Sequence, residues 1–262
     1  MRNIKLLVSY DGTDFAGWQT QPGRRTVQET LEKAIAAVTQ ETIRCQVSGR
    51  TDAGVHALGQ VVNFYTTSKL PAEQFVRAIN AYLPPDVVVR QAADVPQSFD
   101  ANRDARGKWY RYYMHVGLVR PVFLRRYVWH VPWRLDVSEM QAAGQCLLGR
   151  HDFRSFETEW PNRMSSVRTI TYLQWRQQGA LVWLDIAADG FLYNMVRAIV
   201  GTLVNVGRGY WPAERVGEIV RAQDRRLAGP TAPAHGLMLM RVWYDEELDI
   251  GSEAELPIFL ED

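Results

Sequence analysis

Hydrophobic and polar positions change their period along this chain, and each change marks an element. Residues 3 to 10 alternate and predict a β-strand. Val27, Leu31, Ile35 and Val38 then recur on one helical face. Thr26 and Glu29 just ahead of them have the spacing of a capping box. Ile43 to Val47 and Gln60 to Tyr65 read as strands on either side of a Gly-rich turn. Pro71 opens a second helix carrying Phe75, Ile79 and Tyr82, Pro84-Pro85 ends it, and Val87 to Val89 begins another strand. The order βαββαβ predicts a ferredoxin-like α+β arrangement.

The second half repeats that order with a different sequence. Lys108 to Val116 is an aromatic strand and Ser138 to Leu148 a helix. Val167 to Arg176 and Leu181 to Ala187 form a hairpin around Gln177-Gln178-Gly179. Asn194 to Val206 and Ala213 to Ala222 read as helices, and Gly236 to Tyr244 closes with a strand. Two similar halves are expected, residues 1–103 and 104–245, followed by an acidic tail, 246–262. Segments 118 to 134 and 150 to 165, rich in Arg, Trp and Pro, read as insertions.

Composition adds compartment and partner. A hydrophobic fraction of 47% and a charged fraction of 23% are ordinary for a soluble globular protein. Cys45 and Cys146 stand a hundred residues apart in no ligand spacing, which predicts no disulfide framework and a reducing cytoplasm. No signal peptide is expected from Met1-Arg2-Asn3-Ile4-Lys5, and no run reaches the ~18 apolar residues of a membrane span. The net charge of +1 hides an asymmetry, because Asp245 to Asp262 holds eight acids and no cation. Residues 1 to 244 keep 30 cations against 21 acids, so the body is basic and suits a polyanion.

The candidate chemistry lies in Gly49-Arg50-Thr51-Asp52-Ala53-Gly54-Val55-His56-Ala57. Two glycines flank one carboxylate beside a cation, between predicted strands. From spacing alone, an Asp that merely caps a turn is an equal reading. The stretch resembles the catalytic motif of the tRNA pseudouridine synthases that act on the anticodon stem-loop at tRNA positions 38, 39 and 40. Tyr10-Asp11-Gly12-Thr13-Asp14-Phe15-Ala16-Gly17-Trp18-Gln19 resembles that family's amino-terminal signature, and Lys108-Trp109-Tyr110-Arg111-Tyr112 its central tyrosine motif. Gly190-Phe191-Leu192-Tyr193-Asn194-Met195-Val196-Arg197 and Ala234-His235-Gly236-Leu237 resemble its two carboxy-terminal motifs.

The resemblance implies two ferredoxin-like halves sharing a continuous antiparallel sheet with a central cleft, and a homodimer. It implies that Asp52 is the nucleophile, that Arg197 lies against the acid, that Arg50 helps displace the target base and that Tyr110 binds it. Uridine isomerisation oxidises nothing and adds nothing, so no cofactor is expected. A nucleophilic carboxylate must stay ionised where water is excluded, and a guanidinium opposes the pKa rise that burial brings. Extruding a stacked base costs roughly a few kcal/mol, and an aromatic surface returns ~1–3 kcal/mol per stacked base. Tyr110 is the candidate surface, whereas Tyr112 and Met114 on the same strand face read as core. Phe191 and Leu237 are expected to wall the pocket, with core packing an equal alternative. Arg24, Arg25, Lys108, Arg111 and Arg168 are the candidate phosphate contacts.

Two other readings are weighed against this one by the residues themselves. A non-catalytic RNA-binding module of ferredoxin-like fold would carry the aromatic RNP1 pattern, which is absent, and gains nothing from a Gly-flanked Asp. An Asp-nucleophile phosphotransferase would need a P-loop or paired acids that the chain lacks. His56, His115, His130, His151 and His235 show no metal-ligand spacing.

Overall fold

The expected change of period at Tyr10 is where the first strand ends. A computed structural model of the chain describes residues 1–158 and 165–245. The acidic tail, 246–262, and the middle of the second expected insertion, 159–164, lie outside the described residues. Among the described residues, ten strands and five α-helices make the mixed α+β class that the pattern predicts. Two compact units divide them: Met1–Arg106 together with the described residues from Met238, and Gly107–Leu237.

The first unit runs β1 (Arg2–Tyr10), α1 (Val27–Thr39), β2 (Gln46–Val47), β3 (His56–Thr66), α2 (Ala72–Asn80) and β4 (Val87–Val95). That is the βαββαβ order read from the sequence. β1 lies between β4 and β3 and is antiparallel to both, pairing Ile4 with Phe64 and Leu6 with Val62. Alternation along β1 is weaker than expected because the strand is central, so both of its faces are buried. Lys5 on that strand has no exposed surface, and its Nζ stands 3.9 Å from the Tyr244 ring centroid and 5.2 Å from that of Phe99. The rings offer the buried cation the electron-rich faces it needs.

Two expectations for this unit are corrected. The Thr26–Glu29 capping box does not form, because the Thr26 hydroxyl is turned into the core and makes no helix-capping bond. Glu29 pairs instead with Lys33, one turn on, at 2.6 Å. Tyr82 lies beyond the end of α2 and is 61% exposed, so the second helix buries only Ala72, Phe75 and Ile79.

The second unit runs β5 (Gly107–Val116), β6 (Trp129–Val131), α3 (Val137–Gly144), β7 (Gly149–Asp152), β8 (Val167–Gln178), β9 (Leu181–Ala188), α4 (Met195–Gly207) and α5 (Glu214–Ala222). β9 lies between β5 and β8, antiparallel to both, and β7 adds to β8. Both expected insertions therefore contain a short strand, β6 paired in parallel with β5 and β7 at the far side of β8. Every residue of α4 is buried except Arg197, which fits a helix apolar all round. β10 (Leu237–Trp243) returns to the first unit and pairs in parallel with β3, Met238 with His56 and Leu239 with Ala57. No helix among the described residues is long and apolar enough to cross a membrane.

Candidate functional site

Asp52 occupies a turn between β2 and β3, closed by a hydrogen bond from the Val55 N–H to the Asp52 carbonyl at 3.1 Å. The amino-terminal motif supplies the cradle for that turn. Gly12 lies so close to it that a Cβ there would meet the Val55 carbonyl oxygen at 2.0 Å. At Gly17, with φ +92°, a Cβ would stand 2.9 Å from the Thr51 carbonyl oxygen, and the next residue, Trp18, donates its N–H to that same oxygen at 3.0 Å. Both positions need glycine, one for space and the other for space and a left-handed backbone.

Side chains fix the rest of the turn. The hydroxyls of Tyr10 and Thr51 share a hydrogen bond of 2.7 Å. Gln60 donates to the Gly49 carbonyl at 2.9 Å and accepts from the Ser48 hydroxyl at 2.6 Å. Buried His56 has Nδ1 3.0 Å from the Gly12 amide and 3.1 Å from the Asp11 carboxylate. Burial pushes the Tyr10 phenol up to about 12, so it remains a neutral hydroxyl. Asp52 itself is half-buried, and Arg50 is exposed. The sequence showed the acid and its glycines but gave no role to Tyr10, Gly12, Gly17 or Gln60, because they meet the turn only across the sheet.

In the second unit, β5 presents Tyr110 with 8% of its surface exposed, and its ring meets Phe191 edge to face at 5.2 Å between centroids. Lys108, two residues back along the strand, shares that face. Burial first, and the charge of Arg168 second, lower its ammonium pKa to about 8. Arg168 is half-buried and donates to the carbonyls of Ser165 and Val167. Arg197 stands in the first turn of α4. It donates from Nε to the Ala232 carbonyl and from Nη1 to Asn194 Oδ1, each at 2.7 Å. Leu237 is buried at the start of β10.

One candidate phosphate contact is corrected. Arg111 is a core residue, 4% exposed, with Nε on Asp185 Oδ1 at 2.7 Å and Nη2 on Oδ2 at 3.0 Å. Trp109 Nε1 completes the carboxylate's bonds at 2.7 Å. Alternation along β5 turns Arg111 to the face opposite Tyr110, and no sequence signal located Asp185 on β9 as its partner. Arg25 is at the surface, where its guanidinium meets Asp86 in a two-pronged bond of 2.7 and 2.8 Å and covers the Phe15 ring. Arg24 beside it is exposed. No three His, Cys, Asp or Glu side chains gather as a metal ion would require among the described residues.

Comparison with known proteins bears on this arrangement. A sequence model of the tRNA pseudouridine synthase family matches residues 6–102 and 143–245. A protein of Acetivibrio thermocellus named tRNA pseudouridine synthase A is 45% identical over 244 residues, covering 93% of this chain and 100% of its own length. One of Anoxybacillus flavithermus with the same name is 46% identical over 246 residues, covering 94% and 100%. A crystal structure of a Cbf5-Nop10-Gar1 complex aligns with 92% of this chain and 59% of its own chain, at 12% identity and a TM-score of 0.36.

Proposed function

The chain belongs to the tRNA pseudouridine synthase family and is an isomerase that converts uridine to pseudouridine in tRNA; we propose that its targets are positions 38, 39 and 40 of the anticodon stem-loop and that Asp52 is the nucleophile. The observation that carries this reading is the clamping of the Asp52 turn by Gly12 and Gly17, with Tyr10 hydrogen-bonded to Thr51. A turn held on three sides presents one carboxylate in one geometry, which covalent catalysis needs and a solvated turn does not.

In this reading the uridine leaves the stem and its base is received by Tyr110, with Phe191 and Leu237 completing an apolar wall. Arg50 helps displace the base. Asp52 forms a transient bond to the nucleoside and releases it. Over the whole reaction the C1′–N1 bond breaks and a C1′–C5 bond forms. C5 gives up its proton and N1 gains one, so no electrons enter or leave. Arg197 supplies the positive charge that keeps a nucleophilic carboxylate ionised away from water. Arg24, Arg25, Lys108 and Arg168 meet tRNA phosphates, and the enzyme works in the cytoplasm as a homodimer.

Tritium release from tRNA labelled at uridine C5 tests the proposal, with the product mapped by position. The wild type is expected to release label from the anticodon stem-loop, and Asp52→Ala to bind the tRNA and release none. Release by Asp52→Ala at the wild-type rate overturns the nucleophile, and product outside positions 38 to 40 overturns the target.

A further inference from the structure

We propose that Asn194 is a positioning residue that sets the guanidinium of Arg197 and acts on turnover through it. The inference rests on the catalytic role given to Arg197 above. Asn194 immediately precedes α4, where asparagine ordinarily turns its side-chain oxygen onto the helix's free amides. Here it makes no such bond, and its backbone sits at φ +62°, ψ 5°, a conformation that few residues besides glycine and asparagine accept. The side chain is spent elsewhere. Its Oδ1 accepts from Arg197 Nη1 at 2.7 Å and its Nδ2 donates to the Thr158 hydroxyl at 2.8 Å. Arginine can only donate, so the amide oxygen must face it and the nitrogen must face Thr158.

The other side of the guanidinium is held by the Ala232 carbonyl, and the Ala232 N–H returns a bond to the Arg197 carbonyl at 3.1 Å. Two acceptors from separate segments thus fix the plane of the group. Both are uncharged, so they orient the cation without neutralising it. Arg197 also stands at the helix end whose dipole disfavours a positive charge. A cation placed there gains little as a stabilising element, and a residue that gives up helix capping to hold it is organised around that charge.

Kinetics on full-length tRNA with Asn194→Gly and Asn194→Asp test this. Glycine keeps the left-handed backbone and removes the acceptor, while aspartate keeps an acceptor and sets a negative charge on the guanidinium. Each variant is expected to lose about tenfold to a hundredfold in kcat, with KM within about twofold of wild type. Single-turnover rates of the same substitutions in an Arg197→Ala background are expected to show no additional loss. Wild-type kcat in both single variants, or a full additional loss in the Arg197→Ala background, overturns the inference. Full turnover by Arg197→Ala alone overturns the assignment of Arg197 and this inference with it. An inactive Arg197→Ala beside fully active Asn194 variants overturns the positioning role only.

Discussion

Gly12 and Val55 approach so closely that a single added methyl group on Gly12 would fall 2.0 Å from the Val55 carbonyl oxygen. The obstacle is backbone, which cannot swing away as a side-chain tip would. Gly12→Ala must therefore shift the turn that carries Asp52. It is expected to lower isomerisation at least tenfold and to cost about 1–3 kcal/mol of stability. Tritium release and thermal melting measure the two effects, and a fully active Gly12→Ala would show that the turn tolerates displacement.

Lys108 gives the proposed tRNA contact a pH dependence. Its folded-state pKa of about 8 lies below the ordinary lysine value of 10.5, through burial and then the Arg168 charge. Because the folded pKa is the lower one, this group disfavours the folded state below pH 8 and stops doing so as pH rises toward 10.5. Binding follows the opposite course, since the folded protein's Lys108 loses its proton around pH 8. KM for tRNA is expected to rise from pH 7 to pH 9 in the wild type and to rise less in Lys108→Arg, which stays charged. Superimposable profiles for the two proteins would remove Lys108 from the interface.

Arg111 and Asp185 form a buried ion pair, so removing one partner strands the other's charge in the core. Arg111→Ala is expected to destabilise the fold by about 3–5 kcal/mol. Urea denaturation measures the loss. The salt dependence of tRNA binding by the remaining folded protein is expected to stay unchanged, because the residue meets no phosphate. A shallower salt slope with native stability would restore Arg111 as a phosphate contact.

Tyr110 has two separable properties, a ring and a hydroxyl. We propose that the hydroxyl relays the C5 proton, so Tyr110→Phe, which keeps the ring against Phe191, is expected to bind tRNA normally while lowering turnover. Tyr110→Ala is expected to raise KM as well, by about tenfold, from lost stacking. Equal kcat in wild type and Tyr110→Phe would eliminate the relay.

What the sequence made legible was set by the range of the interactions involved. Local period alone located β1, α1 and the β8–β9 hairpin, because alternation and helical spacing are properties of neighbours. The Asp52 turn was visible for the same reason. Its cradle was not, since Gly12 and Gly17 meet residues 51 to 55 only after β1 and β3 have paired. Arg111 shows the boundary within one strand. Alternation already separated it from Tyr110, but its ionic partner lies 74 residues away and depends on the β5–β9 register. The Thr26–Glu29 spacing failed differently, because a hydroxyl in the right sequence position was drawn into the core rather than onto the helix amides.

The parallel pairing of Met238 and Leu239 with His56 and Ala57 has a consequence for biogenesis. That stretch of β3 directly follows the Asp52 turn, and about 180 residues of translation separate it from its partner. At roughly 5–20 residues per second the ribosome needs on the order of ten to forty seconds to deliver that partner. For that interval the nascent chain carries an open edge able to recruit other unfolded chains, so its yield should depend on chaperone capacity and on translation speed through the second unit.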